Sequence, residues 1–293
     1  MHRVHQNMHK SWLIANTKSG SYNAALCETL QRALEQAGMP CAHLVSFPDE
    51  ELPEASTLDE HGIDTVAIYT GDGTINSMVE KLSGWSGRVL ILPGGTLNLL
   101  SKQLHGDRPP AEIIADAGLL DVRLIRPPMI VGGGLTALVG LIAGPTTAWN
   151  DVRESMRARD LGGLVDAVPN AISETFEGDG VWLEGDAKDF PALYLWPTEE
   201  GVYARGVLAD TAARMIGHGI AWLGGDFRDG PHEDLGVRDE ARIKGKGTVG
   251  VLYDGEKGEV PSGTTFNTRA AHVDFIATIH PDDETSPLDA APT

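Results

Sequence analysis

Asp64-Thr65-Val66-Ala67-Ile68-Tyr69-Thr70-Gly71-Asp72-Gly73-Thr74-Ile75-Asn76 reads as a buried strand, a tight Gly-Asp-Gly turn and the first turn of a helix. Val66, Ile68 and Tyr69 suit a pleated, enclosed strand. Gly71 and Gly73 permit close backbone approaches that a Cβ would block. Thr74 stands where an N-cap belongs, ahead of Ile75 to Leu82 with apolar residues at helical spacing. Bare N–H groups at a helix N-terminus suit phosphate. A carboxylate in the same loop would repel phosphate. A metal ion between them, held by Asp72 directly or through water, resolves the conflict.

Strands and helices alternate on both sides of this stretch. Ser11 to Asn16 reads as a strand, Thr17 to Ser21 as a polar loop, and Tyr22 to Ala37 as a helix with an apolar stripe ended by Gly38 and Pro40. Cys41 to Phe47 is a second strand, and a short helix runs through Glu54 to His61. Arg88 to Leu92 is nearly all apolar, as expected when both faces of a sheet are covered. Pro93-Gly94-Gly95-Thr96 is a second glycine turn, followed by helices from Leu97 and from Pro110. The pattern predicts a parallel, three-layer α/β domain with its ligands at the carboxyl ends of the strands. The loops at 16–20, 71–74 and 94–96 should then share one edge. Three phosphate-compatible loops together, one carrying Asp72, favour nucleotide binding over plain structural turns.

Near residue 121 the pattern changes. Asp121 to Ile125, Met129 to Val131 and Leu135 to Ile142 read as strands, and 145–178 is the one long helical tract of this half. Short strand-like pieces then recur at 180–183, 192–196, 202–208, 220–223, 240–244, 248–253 and 272–279, separated by turn residues, which is the spacing of an antiparallel sandwich or barrel. The expected organisation is an α/β nucleotide-binding domain over 1–121, a β-sandwich over 122–280 and a disordered acidic tail over 281–293.

The net charge of −19, with no basic block, argues against nucleic acid and against broad adhesion to anionic membranes. Arg153, Arg157 and Arg159 on one helical stretch read as a solvated face. No apolar run approaches the roughly 20 residues of a membrane span, and Met129 to Ala143 is broken by Gly132-Gly133-Gly134. Met1 to Lys10 has no apolar core and is not a secretory signal. With only Cys27 and Cys41, a reduced, cytoplasmic protein is the simplest expectation. His218, His232, His272 and His280 lack ligand spacing. Trp149, Trp196 and Trp222 read as core. Ser19 lacks the His and Asp company of a nucleophile.

Thr70-Gly71-Asp72-Gly73-Thr74-Ile75-Asn76 resembles the Gly-Gly-Asp-Gly-Thr signature of a kinase superfamily that includes diacylglycerol, sphingosine and ceramide kinases, bacterial soluble lipid kinases, NAD kinases and 6-phosphofructokinases. Pro93-Gly94-Gly95-Thr96-Leu97-Asn98 resembles the Pro-x-Gly-Thr-x-Asn motif of the diacylglycerol kinase catalytic family, and Asp254-Gly255-Glu256 its Asp-Gly-Glu motif. Asn16-Thr17-Lys18-Ser19-Gly20 is similar to the opening Asn-Pro-x-Ser-Gly. Family chains usually return a C-terminal segment to the first domain.

The resemblance implies ATP and Mg²⁺, a lipid hydroxyl as acceptor (diacylglycerol, ceramide, a sphingoid base or a relative), and transient contact with a membrane surface. It places Asn16, Ser19, Ser46, Thr70, Gly71, Asp72, Gly73, Thr74, Asn76, Gly95, Thr96 and Asn98 around the nucleotide. Glu256 would be the general base, with Asp72 also catalytic, and Asp72 and Asp254 are the candidate metal ligands. Phosphoryl transfer needs this set: charge neutralisation, backbone donors and a positioned acceptor. Taken alone, Asp254-Gly255 is a strong hairpin signal. Thr70 stands where the signature has glycine, and Leu99 where the family has an aspartate. The family's late Asp-Gly-Leu metal loop has no clear counterpart; 231–236 occupies roughly that region. An NAD or sugar-phosphate kinase and a non-catalytic nucleotide or lipid sensor are the alternatives, and a homodimer is left open.

Overall fold

A computed structural model describes residues 9–19, 22–95, 98–119, 122–144, 180–208, 232–254 and 256–279. The chain divides into two compact units, Met1–Pro127 with a returning segment from Ala271, and Pro128–Ala270. The helical tract at 145–178, the strand-like piece at 220–223, Trp149, Trp222, His218, the three arginines and the acidic tail lie outside the described residues.

In the first unit β1 (Ser11–Asn16), β2 (Cys41–Phe47), β3 (Thr65–Thr70), β4 (Arg88–Pro93), β17 (Asp274–Ala277) and β5 (Arg123–Ile125) form one sheet, in the order β2-β1-β3-β4-β17-β5. The pairs β2–β1, β1–β3, β3–β4 and β4–β17 are parallel, and β5 runs antiparallel to β17. All six residues of β3 are buried, because helices cover both sides. Leu13, Ala15, Ala67, Tyr69, Leu90 and Leu92 pack in one cluster with Leu30 and Leu34 of α1 (Ala24–Gln36) and Ile113 and Ile114 of α5 (Pro110–Ala117). The alternate residues Ile14, Ile68 and Ile91 are equally buried and point the other way. Asn23 starts α1 by accepting hydrogen bonds from Ala25 N at 2.9 Å and Leu26 N at 3.3 Å.

The stretch 272–279, which strand spacing assigns to the sandwich and the family resemblance returns to the first domain, belongs to the first sheet. So does β5, which places the division at Pro127 rather than at residue 121. The returning segment is fixed to α4 (Leu99–His105), where Thr278 N donates to Leu104 O at 3.0 Å and the His105 ring meets Thr278 Oγ1 at 3.0 Å. His105 is fully buried, and burial, with the nearby Arg108 guanidinium, holds its imidazole down at about 3. The unfolded chain therefore binds a proton below about 6.5 that the folded chain refuses. The stability due to neutral His105 is complete above that pH and declines as pH falls towards 3. Between pH 6.5 and 5 the loss is about 2 kcal/mol. Urea unfolding at pH 7 and pH 5 measures it, and His105→Gln should flatten the difference.

The second unit contains two antiparallel sheets among the described residues. One has the order β12 (His232–Arg238), β11 (Gly201–Val207), β10 (Ala192–Thr198), β8 (Leu141–Gly144), β14 (Thr248–Tyr253), β15 (Glu256–Pro261). The other has β7 (Leu135–Ala137), β6 (Pro128–Gly132), β16 (Thr264–Ala270), β13 (Glu240–Lys244), β9 (Trp182–Leu183). Leu193, Leu195, Val202, Ala204 and Val251 of the first share a core with Ile130, Ile243 and Phe266 of the second, so the unit is a sandwich. The expected single strand over 135–142 is broken at Leu138–Gly140. The three amides of that break donate to the Asp254 carboxylate at 2.6, 2.9 and 3.2 Å. Among the described residues no helix is long and apolar enough to cross a membrane.

Candidate active site

Parallel register puts the strand ends level. Ala15 pairs with Ser46 and with Tyr69, Tyr69 with Leu92, and Thr70 with Pro93. The loops after β1, β2, β3 and β4 therefore leave from one edge, as the sequence pattern predicts. From β1 the chain crosses to β2 on one side, and from β3 it crosses to β4 on the other. Loops that diverge in this way leave a crevice between them, the usual ligand position of an open α/β sheet. Asn16 Nδ2 donates across it to Thr74 Oγ1 at 3.2 Å, and Asn16 Oδ1 accepts from Lys18 N at 3.0 Å. Ser19 Oγ donates to Gly94 O at 3.3 Å, linking the first loop to the third.

The two glycine turns rest directly on each other. A Cβ on Gly94 would come within 2.6 Å of Tyr69 C and Thr70 N, and one on Gly95 within 2.6 Å of Gly71 Cα. Gly94-Gly95 is thus required by loop packing. Thr70, in place of the signature glycine, turns its buried side chain back so that Oγ1 donates to Gly71 O at 3.2 Å. Ser46 lies at the end of β2, where its amide donates to Glu50 Oε1 at 3.3 Å. Asn76 is buried within α3 (Asp72–Lys81). Thr96 lies outside the described residues.

Helix α3 begins earlier than expected. Its N-cap is Gly71, and Asp72, Gly73 and Thr74 form the first turn, so Thr74 is not the cap. Gly71 has no side chain to cap the turn, which leaves the α3 end suited to an external acceptor. Helix α4 differs. Asn98 precedes it in the left-handed region, at φ 52 and ψ 40, which Asn tolerates better than most residues. Asn98 Oδ1 turns back to accept from Gly95 N at 2.6 Å. The N-terminal amides of α4 already have an anion: Leu99 N and Leu100 N each lie 3.4 Å from an oxygen of Asp72. Neither helix is capped by the side chain of its own N-cap residue, and α4 has the Asp72 carboxylate of the other loop instead.

Asp72 is therefore both a cap and a charge at the crevice. Burial pushes its carboxyl up, while the amides of Leu100 and Leu99 and the Lys102 ammonium pull it back. Among the described residues no three His, Cys, Asp or Glu side chains gather to hold a metal. Mg²⁺ does not need such a cage. It commonly keeps several waters and takes one or two carboxylates plus substrate phosphates. Asp72, a half-buried carboxylate whose burial a cation would offset, fits that requirement.

Asp254 does not fit. Its carboxylate is 6% exposed and accepts from three amides, and its backbone sits at φ 46 in the two-residue hairpin between β14 and β15. These contacts are those of a structural anchor. Sequence reasoning missed this because Leu138–Gly140 lie more than a hundred positions away; the Asp-Gly hairpin signal was the only local trace. Glu256, the first residue of β15, is exposed and pairs with Tyr253.

The described architecture is thus that of an α/β domain with a β-sandwich inserted in its chain. Residues 10–125 match the family model of the diacylglycerol kinase catalytic domain, so the resemblance carried by Gly71–Thr74 and Gly94–Asn98 holds over that stretch. No curated protein matches the chain. The solved structure of a diacylglycerol kinase from Bacillus anthracis str. Sterne is similar with a TM-score of 0.60 at 16% identity, covering 92% of this chain and 97% of that one. A structure described as a putative diacylglycerol kinase from that organism has a TM-score of 0.59 at 15% identity, covering 92% and 98%. At such identity the likeness is one of fold.

Proposed function

We propose that the chain is an ATP-dependent lipid kinase, moving the γ-phosphoryl group of ATP to a lipid hydroxyl. The observation that supports this most is the uncapped start of α3 beside Asp72, at the switch-point crevice of a domain that matches the diacylglycerol kinase catalytic model. In this reading the backbone of Gly71 to Thr74 receives the phosphates, and Thr70 and Asn76 hold that loop from its two ends. Asn16, Ser19, Gly95 and Asn98 fix the neighbouring loops, and Ser46 and Thr96 complete the surround. Asp72 would hold Mg²⁺ through water. The ion supplies charge neutralisation at the phosphates when bound. Glu256 takes the proton of the attacking hydroxyl, a role its exposure allows.

Diacylglycerol, ceramide and sphingosine each offer a suitable hydroxyl, met transiently at a membrane surface. Radiolabelled ATP with these lipids and phosphatidylglycerol in mixed micelles, alongside NAD⁺ and fructose 6-phosphate, tests the reading. Label is expected in a lipid. Label in NAD⁺ or the sugar phosphate alone would replace the lipid reading with another kinase class. Glu256→Gln should lower turnover by roughly 10²- to 10⁴-fold with an unchanged unfolding midpoint. Full turnover in that folded variant would remove Glu256 from the chemistry.

A further inference from the structure

β17 runs parallel to β4, with Asp274 beside Arg88 and Phe275 beside Val89. Its carboxyl end therefore lies at the edge from which the crevice loops leave. Past β17 the chain turns onto α4, where Thr278 N and Ile279 N donate to Leu104 O at 3.0 and 3.3 Å. The other end of the same helix meets Asp72, through the amides of Leu99 and Leu100. Helix α4 runs only from Leu99 to His105, about 10 Å at 1.5 Å per residue. Ile279 is thus tied one short helix away from the Gly71–Thr74 loop.

The sequence that follows is acidic. Asp282, Asp283 and Glu284 are consecutive, Asp289 comes soon after, and no Lys or Arg follows Arg269. At roughly 3.3 Å per residue, an extended chain from Ile279 reaches about 10 Å at Asp282 and about 17 Å at Glu284, enough to cross α4. Most of the chain repels such a segment, since the net charge is −19. The crevice is an exception. The α3 start offers amides with no side-chain cap, Lys18 is exposed in the first loop, and the Lys102 ammonium is near enough to act on Asp72. Against them stand Asp72, already facing the α4 amides, and Asp49, 3.2 Å from Thr17 Oγ1. These two carboxylates keep the attraction weak. A tethered segment needs no more than that: its effective concentration is roughly millimolar, so a millimolar contact fills a sizeable share of the crevices.

We infer that the acidic run 282–289 folds back across α4 and competes with nucleotide phosphates for the start of α3, an autoinhibitory contact within the chain. The inference rests on the kinase reading, because it takes the crevice as a polyanion site. Consecutive carboxylates present negative oxygens in series, as a triphosphate does, and the same amides donate to either. The nucleotide then binds only the chains whose crevice is open, and its apparent affinity falls by that fraction.

Isothermal titration of Mg·ATP into the full chain and into two variants tests it. One variant stops after His280. The other keeps the length and carries Asp282→Asn, Asp283→Asn and Glu284→Gln. Both are expected to bind roughly three- to tenfold more tightly than the natural chain. A control with Glu35→Gln, Asp59→Asn and Glu60→Gln removes as much charge from exposed helix ends that lead into β2 and β3, at the opposite edge of the sheet, and should leave the affinity unchanged. Unchanged affinity in both tail variants, with ATP still bound, would overturn the inference and leave the kinase reading standing. An equal gain in the control would overturn the contact and leave only an effect of net charge. Absence of ATP binding in every chain would remove the kinase reading, and the inference with it. Cleavage after Glu284 by a glutamyl endoprotease gives a second readout. Saturating Mg·ATP should speed it, because the displaced run becomes accessible, and an unchanged rate would overturn the contact.

Discussion

Asp254→Ala should destabilise the second unit by roughly 3–5 kcal/mol, because three amides of a buried loop lose a charged acceptor at once. Part of the cost comes from the backbone, since φ 46 suits Asp better than Ala. In a unit of this size each kcal/mol moves the midpoint by about 2–4 °C, so a fall near 10 °C is expected. Asp254→Asn keeps the left-handed tolerance and one carbonyl oxygen, and should lose markedly less. Glu256→Gln, two residues away but exposed, should lose nothing. Thermal scans of the three variants separate an anchor from a metal ligand. If Asp254→Ala lost less than about 1 kcal/mol, the anchor assignment would fail.

Asp72 is expected to show a large effect on turnover. Asp72→Asn keeps an oxygen for the amides of Leu99 and Leu100 but removes the charge. If Asp72 places Mg²⁺ beside the phosphates, turnover should fall at least about 10²- to 10³-fold, with Mg²⁺-dependent ATP binding weakened in parallel. The fold should tolerate the change. Burial raises the Asp72 carboxyl in the folded chain, so its charge costs more there than in the unfolded chain, and a neutral amide avoids that cost. Asp72→Ala also strips the cap from α4 and should cost a further 0.5–2 kcal/mol, roughly the value of a helix cap. Isothermal titration with ATP, with and without Mg²⁺, distinguishes the roles. Undiminished metal-dependent binding by a folded Asp72→Asn would leave Asp72 as a cap only.

The α/β half was readable because its signals are local. Val66 to Tyr69 announces a covered strand, Gly71 and Gly94-Gly95 announce close turns, and Gly38 ends α1 where the apolar stripe ends. The functions of those glycines were only half readable. Gly94 and Gly95 serve the Tyr69–Gly71 backbone, a contact between segments more than twenty residues apart. Asn98 matched a motif, but its reason, a left-handed residue folding back on Gly95, needed the backbone angle. Asp274–Ala277 looks like any short strand, and only its partner β4 tells which sheet it joins. Asp254 was half readable for the same cause: its hairpin is local, its three donors are not.

The return of β17 to the first sheet also fixes the order in which the chain can be completed. Pro128 and Ala270 pair with each other, and Ala271 N donates to Pro127 O at 2.9 Å, so the sandwich leaves and rejoins the first unit at a single point. The sandwich can close as soon as its own residues have left the ribosome. The first unit cannot, because the strand between β4 and β5 is synthesised last. A fragment stopping at Pro127 would hold nearly every loop of the crevice yet expose the edge of β4 and strand β5 without its partner. The separable piece of this protein is therefore the inserted one, 128–270, and a nucleotide-binding fragment must carry the C-terminal strand as a second segment.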